Sequence, residues 1–286
     1  MKAVLTPNPY RDRNFKLVEQ AVSILNEAGV ETKICLPFDV DKGFELPKDL
    51  KFYDIHKEIK NADVLICFGG DGTILHSSKI ATKNRVPILG VNVGTMGFMA
   101  ELEAGELNLL TKLPKGEFKI EKRMMLQVTV ENDGKELYND IALNDAAITK
   151  GAIARVIQVT VECDGIEAST FSGDGVIVST PTGSTAYSMS AGGPIVEPSA
   201  KNIIITPICA HAVNTKGIVT SPYRTVSVRL GKLGRRNAFL SVDGGRAFRL
   251  SVGDVVKVKK SDQETSLIRL KQTSFYEILN NKLYSR

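Results

Sequence analysis

At 286 residues, 43% hydrophobic and 24% charged, the chain has the composition of a soluble globular protein long enough for two domains with cores of their own. Its net charge of +5 is mild and comes without a Lys/Arg block or aromatic-flanked basic stripes, which argues against nucleic acid and suits anionic small molecules. No stretch is apolar for long enough to span a membrane, and the run at Met1–Pro7 is too short for a signal peptide.

Lys2–Thr6 reads as a first strand, stopped by Pro7-Asn8-Pro9. A helix follows, with Phe15, Val18, Val22 and Leu25 at helical spacing and Gly29 as its stop. Glu31–Leu36 is a second strand, and the polar stretch Asp39–Asp49 reads as a surface loop. The apolar run Asp63–Phe68 has the character of a buried parallel strand. The glycine turn Gly69-Gly70-Asp71-Gly72-Thr73 joins it to a helix starting near Ile74. Val86–Val91 is another strand, and its loop Asn92-Val93-Gly94-Thr95-Met96-Gly97-Phe98 again places glycines at a strand end. This alternation predicts a Rossmann-like, doubly wound parallel sheet in an α/β domain over residues 1–105.

From about Phe118 the pattern becomes all-β. Short strands are expected at Met125–Glu131, Leu137–Leu143, Arg155–Cys163, Asp174–Ser179, Ile203–Ile205, Thr225–Leu230, Ala238–Asp243, Val255–Lys259 and Ser266–Leu270. Turn sequences such as Asn132-Asp133-Gly134 and Cys163-Asp164-Gly165 separate them. The reading is a β-sandwich-like domain over 118–270, followed by a helix at Phe275–Tyr284 that docks back on the first domain. Cys35, Cys67, Cys163 and Cys209 are far apart, lie in apolar strand-like runs and lack metal or redox spacing, so they are expected as buried reduced thiols in a cytoplasmic protein.

Asp71 stands at the carboxyl end of a strand, in a turn that feeds a helix N-terminus, which is where open α/β sheets bind ligands. A carboxylate there repels phosphate unless it accepts a proton or holds a cation, so it reads as chemistry rather than turn filler. The Walker-type phosphate loop, the full dinucleotide glycine fingerprint, the protein-kinase motifs and the His-Glu zinc motif are all absent. With three histidines, His56, His76 and His211, a His-rich metal site is not expected.

A second stretch, Ser172 to Ser188, runs from an apolar strand into the hydroxyl-rich loop Ser179-Thr180-Pro181-Thr182-Gly183-Ser184-Thr185-Ala186-Tyr187. Hydroxyls and open backbone N–H groups donate to phosphate and ribose oxygens, and Tyr187 offers a stacking face. A third, Asn144-Asp145, interrupts an apolar strand, which is costly unless the pair is hydrogen-bonded or binds something. An amide beside a carboxylate suits a purine edge, and an ordinary β-turn is the alternative.

Taken together and in order, Gly69–Thr73, Asn92–Phe98, Asn144-Asp145 and Asp174–Tyr187, continuing to Gly192-Gly193-Pro194, resemble the NAD kinase family. The glycine-Asp-glycine turn alone is shared with lipid kinases and phosphofructokinases, whereas the Ser179–Tyr187 block is diagnostic. The resemblance implies a homodimer or homotetramer that phosphorylates the adenosine-ribose 2′-hydroxyl of NAD, using ATP or polyphosphate with Mg²⁺ or another divalent metal, without nucleic-acid or membrane partners. It implies Asp71 as the base, with Gly72 beside it and Phe98 near the adenine. Asn144 and Asp145 would contact adenine and ribose, and Asp174 the nicotinamide end. Thr182, Thr185, Ala186, Tyr187, Ser188 and Ser190 would line the NAD site, with Arg155 as a polar or basic site residue. Gly69, Gly70, Gly72 and Thr73 would face the phosphoryl donor, and no protein ligand set for the metal is assigned. The chain departs from the family pattern in three places. Asp145 stands where many members have Glu, Ala210-His211 and Lys216-Gly217 replace Pro-His and Arg-Pro pairs, and Ser172 stands where members vary between bulky basic and small residues.

Overall fold

Residues Ala3–Leu5, Val64–Phe68 and Ile88–Val91 are buried throughout, as strands covered on both faces of a parallel sheet must be. The computed structural model describes residues 1–94, 97–151, 155–211, 214–231 and 237–283. The chain divides into two units, Met1–Lys122 with Thr265–Arg286, and Arg123–Glu264.

In the first unit, strands β1 (Lys2–Pro7), β2 (Glu31–Cys35), β3 (Phe52–Tyr53), β4 (Val64–Gly69) and β5 (Ile88–Asn92) form a parallel sheet in the order β3-β2-β1-β4-β5. Strand β6 (Leu102–Glu103) adds to β5. Helix α1 (Lys16–Glu27) buries Val18, Ala21 and Leu25 against this sheet's core. The chain works outward from β1 to β3 and then returns to the opposite side of β1 for β4. The strand order therefore reverses between β1 and β4, and their carboxyl-end loops diverge there.

Several short helices lie where no helix is predicted, among them two of the first unit. Helix α2 (Ile55–Glu58) is a single turn capped by the Asp54 carboxylate, which accepts the His56 N–H. A 3₁₀ helix at Ala104–Lys112 starts with a reciprocal Glu103–Glu106 capping box. Both carry too few residues for a periodic pattern to stand out. The turn after β4 opens α3 (Asp71–Asn84).

The second unit is a two-sheet sandwich. One sheet contains β7 (Lys119–Asn132), β8 (Lys135–Ala142), β10 (Ile157–Cys163), β11 (Ile166–Gly173), β15 (Val226–Leu230) and β18 (Val255–Arg269), with antiparallel neighbours β11-β10-β15-β18 and the β7-β8 hairpin. The other runs β14 (Ile218–Thr220), β13 (Ile203–Ile208), β12 (Gly175–Ser179), β9 (Asp145–Lys150), β16 (Ala238–Val242), β17 (Phe248–Leu250), all antiparallel. Leu126, Val159 and Val228 from the first sheet pack with Ile148, Val176 and Leu240 from the second in one core. Between β12 and β13 the chain makes a 3₁₀ turn, Thr182–Thr185, and the short helix α4 (Tyr187–Ser190).

The two strands expected at 255–259 and 266–270 are one, β18. Its polar middle reads as a turn in sequence, yet Ser261 and Thr265 are buried and extended within the strand. Val255 to Val258 pair with β15 in the second unit, and Leu267 pairs with Ile88 in the first. The C-terminal helix α5 (Phe275–Leu283) belongs to the first unit, with Phe275 lying 6.3 Å from the Phe98 ring. Cysteine burial holds for Cys35 and Cys67 only: Cys163 is half-buried and Cys209 is exposed, because its strand ends one residue earlier.

Candidate active site

In the first unit the glycine turn is built by close approach. A Cβ on Gly69 would stand 2.2 Å from Thr73 Oγ1, so only glycine lets the strand end meet the first turn of α3. Asn8 Nδ2, from the loop after β1, donates to that same Thr73 hydroxyl at 3.1 Å. Gly72 is exposed with open space around it.

Asp71 is the first residue of α3. Its two carboxylate oxygens accept the backbone N–H groups of Phe98 at 2.7 Å and Met99 at 3.0 Å. This fixes the plane of the carboxylate while leaving each oxygen a lone pair that no described residue uses, open to a substrate hydroxyl. Phe98 itself is buried, under Phe275 and with Lys282 Nζ 4.3 Å above its ring. Thr95 and Met96 of the 92–98 loop lie outside the described residues.

In the second unit, Asn144 and Asp145 are buried at the start of β9. The Asp243 carboxylate accepts three consecutive backbone N–H groups, from Leu143 at 2.8 Å, Asn144 at 2.8 Å and Asp145 at 3.1 Å. Burial, with the neighbouring Asp243 charge, pushes the Asp145 carboxyl up to about 7. The Asn144 side-chain oxygen is buried without a hydrogen-bond partner among the described residues. An orphan acceptor of this kind costs about 1–3 kcal/mol. An amine donated by a ligand would relieve it.

The Thr182–Thr185 turn packs onto this pair, since a Cβ on Gly183 would stand 2.1 Å from the Asn144 carbonyl oxygen. Thr182 is buried and accepts a hydrogen bond from Arg123 Nη1 at 3.2 Å. Thr185 is half-buried and donates to the Thr182 carbonyl, and Ala186 is half-buried beside it. Tyr187 and Ser190 are exposed. Ser188 is turned inward: its hydroxyl is buried and bonded to Thr206 Oγ1 at 2.8 Å, so its side chain supports α4 instead of facing solvent. Asp174 pairs with Lys150 Nζ at 2.6 Å. Arg155 is exposed, and residues 152–154 just before it lie outside the described residues.

Asp243, Arg123 and Lys150 are the supporting residues that sequence reading missed in this unit, and each is distant in sequence from what it holds. Arg123 closes the charged run Glu121-Lys122-Arg123 and so looks like a surface residue in sequence, yet it is buried, and a guanidinium is seldom fully buried without partners.

Residues 8–118 match the model of the ATP-NAD kinase N-terminal domain, and residues 143–270 that of the ATP-NAD kinase C-terminal domain. An NAD kinase of Caldanaerobacter subterraneus subsp. tengcongensis is 38% identical over 286 residues, covering 100% of this chain and 99% of the relative. The chain belongs to the NAD kinase family. An NAD kinase of Geobacter sulfurreducens is 41% identical over 223 residues, 78% of each chain. Among solved structures, an NAD kinase from Archaeoglobus fulgidus in complex with ATP superposes with a TM-score of 0.74 at 26% identity, over 99% of this chain and 98% of that one. Yeast NADH kinase complexed with NADH shares the fold, with a TM-score of 0.84 at 24% identity over 99% of this chain and 87% of that one. The stretch between the two NAD kinase family domains, 119–142, is the β7-β8 hairpin.

Proposed function

We propose that this NAD kinase family member transfers the terminal phosphoryl group of ATP to the 2′-hydroxyl of the adenosine ribose of NAD, giving NADP, with Asp71 as the general base. The observation that carries the reading is the Asp71 carboxylate, fixed by two backbone N–H groups at a strand-to-helix turn with lone pairs to spare. A ribose hydroxyl is a poor nucleophile at neutral pH, and a positioned carboxylate that takes its proton supplies the one acid–base function the reaction needs. The rest is positioning and charge stabilisation.

The second unit supplies groups suited to holding the dinucleotide. The orphan Asn144 oxygen is matched to an adenine amine, and Asp145 is matched to a ribose hydroxyl. Tyr187 presents an exposed ring for stacking, while Thr185, Ala186 and Ser190 offer small and hydroxyl groups around it. Asp174, held by Lys150, serves the nicotinamide end. Gly69, Gly70, Gly72 and Thr73 serve the phosphoryl donor, with polyphosphate as an alternative to ATP.

The described residues gather no group of three or more histidine, cysteine or carboxylate side chains that could hold a metal ion. In this reading Mg²⁺ belongs to the substrate, arriving as the metal–ATP complex and neutralising phosphate charge. Among the described residues no helix is long and apolar enough to cross a membrane. The reading extends to a homodimer or homotetramer in the cytoplasm, a compartment that keeps thiols such as the four free cysteines reduced.

The test is incubation of the purified protein with NAD, ATP and Mg²⁺ and detection of NADP by a dehydrogenase specific for it. NADP formation that requires both substrates is the expected result. No NADP under any donor, ATP or polyphosphate, overturns the reading.

A further inference from the structure

The loop after β1 carries a cation that the sequence reading passed over. Arg11 reaches across the carboxyl end of the sheet, and its guanidinium lies against both glycine turns of the first unit. A Cβ on Gly70 would stand 2.9 Å from Arg11 Nη1, and one on Gly94 would stand 3.6 Å from the same atom. Among the described residues its side chain makes one hydrogen bond, a long one from Nη1 to the Val93 carbonyl at 3.4 Å. No carboxylate among the described residues forms an ion pair with it.

The backbone beneath Arg11 is pinned on both sides. Asn8 donates from Nδ2 to Thr73 and from its backbone to the Phe68 carbonyl, which ties the loop to the glycine turn. Tyr10 donates its hydroxyl to Asp41 at 2.7 Å, and the buried Asp12 carboxylate accepts the N–H groups of Leu17 and Val18. A guanidinium on so fixed a base, resting on Gly70 and Gly94 and lacking a carboxylate partner among the described residues, is set to meet an anion supplied from outside. Its position is the point where the strand order of the first unit reverses, between β1 and β4, where open α/β sheets take their ligands.

We infer that Arg11 binds the phosphate chain of the phosphoryl donor, holding it over the Gly69–Gly72 turn against the negative charge of Asp71. The inference rests on the proposed kinase activity and extends it to a named donor-binding residue. It also answers the electrostatic objection to a carboxylate at this turn, because a fixed positive charge lies on the same turn before any substrate arrives. Arginine suits the task through its planar fork, which matches phosphate oxygens two at a time.

The test compares wild type with Arg11→Ala and Arg11→Lys in the full chain. In steady-state NADP formation, Arg11→Ala is expected to raise the KM for ATP by about tenfold or more, the loss of one charge-assisted contact, while the KM for NAD stays within about twofold. Arg11→Lys is expected to recover part of the loss. Calorimetric titration with inorganic tripolyphosphate gives a readout without turnover, and Arg11→Ala is expected to weaken that binding by a similar factor. Unchanged ATP kinetics and tripolyphosphate binding in Arg11→Ala overturn the inference. So does a parallel loss of ATP and NAD affinity accompanied by a lowered Tm, which would mark Arg11 as a structural residue. If wild type forms no NADP the proposed activity fails on its own, and the tripolyphosphate comparison still decides whether Arg11 is a phosphate site.

Discussion

Gly97 lies so close to Asp71 that a Cβ added to the glycine would stand 2.0 Å from the aspartate Oδ1. The two residues are far apart in sequence, and the approach exists because the next two N–H groups, of Phe98 and Met99, both point at that carboxylate. Gly97→Ala must displace either the loop or the carboxylate. The expected outcome is a kcat at least about tenfold lower, since misplacing a reacting group by an ångström is costly, with NAD binding largely kept. Fluorescence titration with NAD alongside turnover checks it, and wild-type turnover would show that the Asp71 position is not limiting.

Asp71→Asn tests the base directly. The amide keeps the size and one acceptor oxygen but cannot take a proton from the ribose hydroxyl. A fall in kcat on the order of 10² or more is expected, with little change in the far-ultraviolet circular dichroism spectrum. Its NH₂ would also face the Phe98 or Met99 N–H, so a small loss of Tm is expected as well. Turnover near that of wild type would remove Asp71 from the mechanism.

Asp243 is a positioning residue for the second unit. Three backbone N–H groups converge on it, and with it removed the Leu143–Asp145 segment loses three of the bonds that fix the start of β9. Asp243→Asn is expected to raise the KM for NAD by roughly tenfold while changing the KM for ATP little, in keeping with bonds to a charged group worth about 1.5–3 kcal/mol. Asp243→Ala leaves the N–H groups unsatisfied and is expected to lower Tm as well. A parallel rise in both KM values would argue for general unfolding in place of local positioning.

The division into an α/β part and a β-sandwich, and the location of Asp71 at a sheet's ligand end, were legible in the sequence because period and glycine punctuation are local. The Gly69–Thr73 turn could be read for the same reason. Asp243, Arg123 and Arg11 could not, since each serves a segment reached only through tertiary folding, and nothing in a run such as Ser241-Val242-Asp243-Gly244 says that its acid caps residues about 100 positions earlier. Ser188 is of the same kind: in a hydroxyl-rich stretch the sequence cannot say which hydroxyl turns inward, and this one bonds Thr206. The strand β18 was split in two because a polar run with Ser and Asp resembles a turn until its pairing is known.

Asp145 makes stability depend on pH. Burial first, and then the Asp243 charge, raise its carboxyl to about 7, against about 3.9 for an unfolded aspartate. Between those values the folded chain holds a proton that the unfolded chain has released, so this group's contribution to stability falls as pH rises from about 4 through 7 and is flat above. Asp145→Asn is uncharged at every pH and places an amide donor beside Asp243. The Tm of Asp145→Asn relative to wild type is therefore expected to climb from near zero at pH 4 to a clear gain at pH 8. Thermal melts of both proteins across that range check it, the other titrating groups cancelling in the difference. A gap that stays constant with pH would mean Asp145 is ionised in the fold throughout, with its charge met by a partner rather than held neutral.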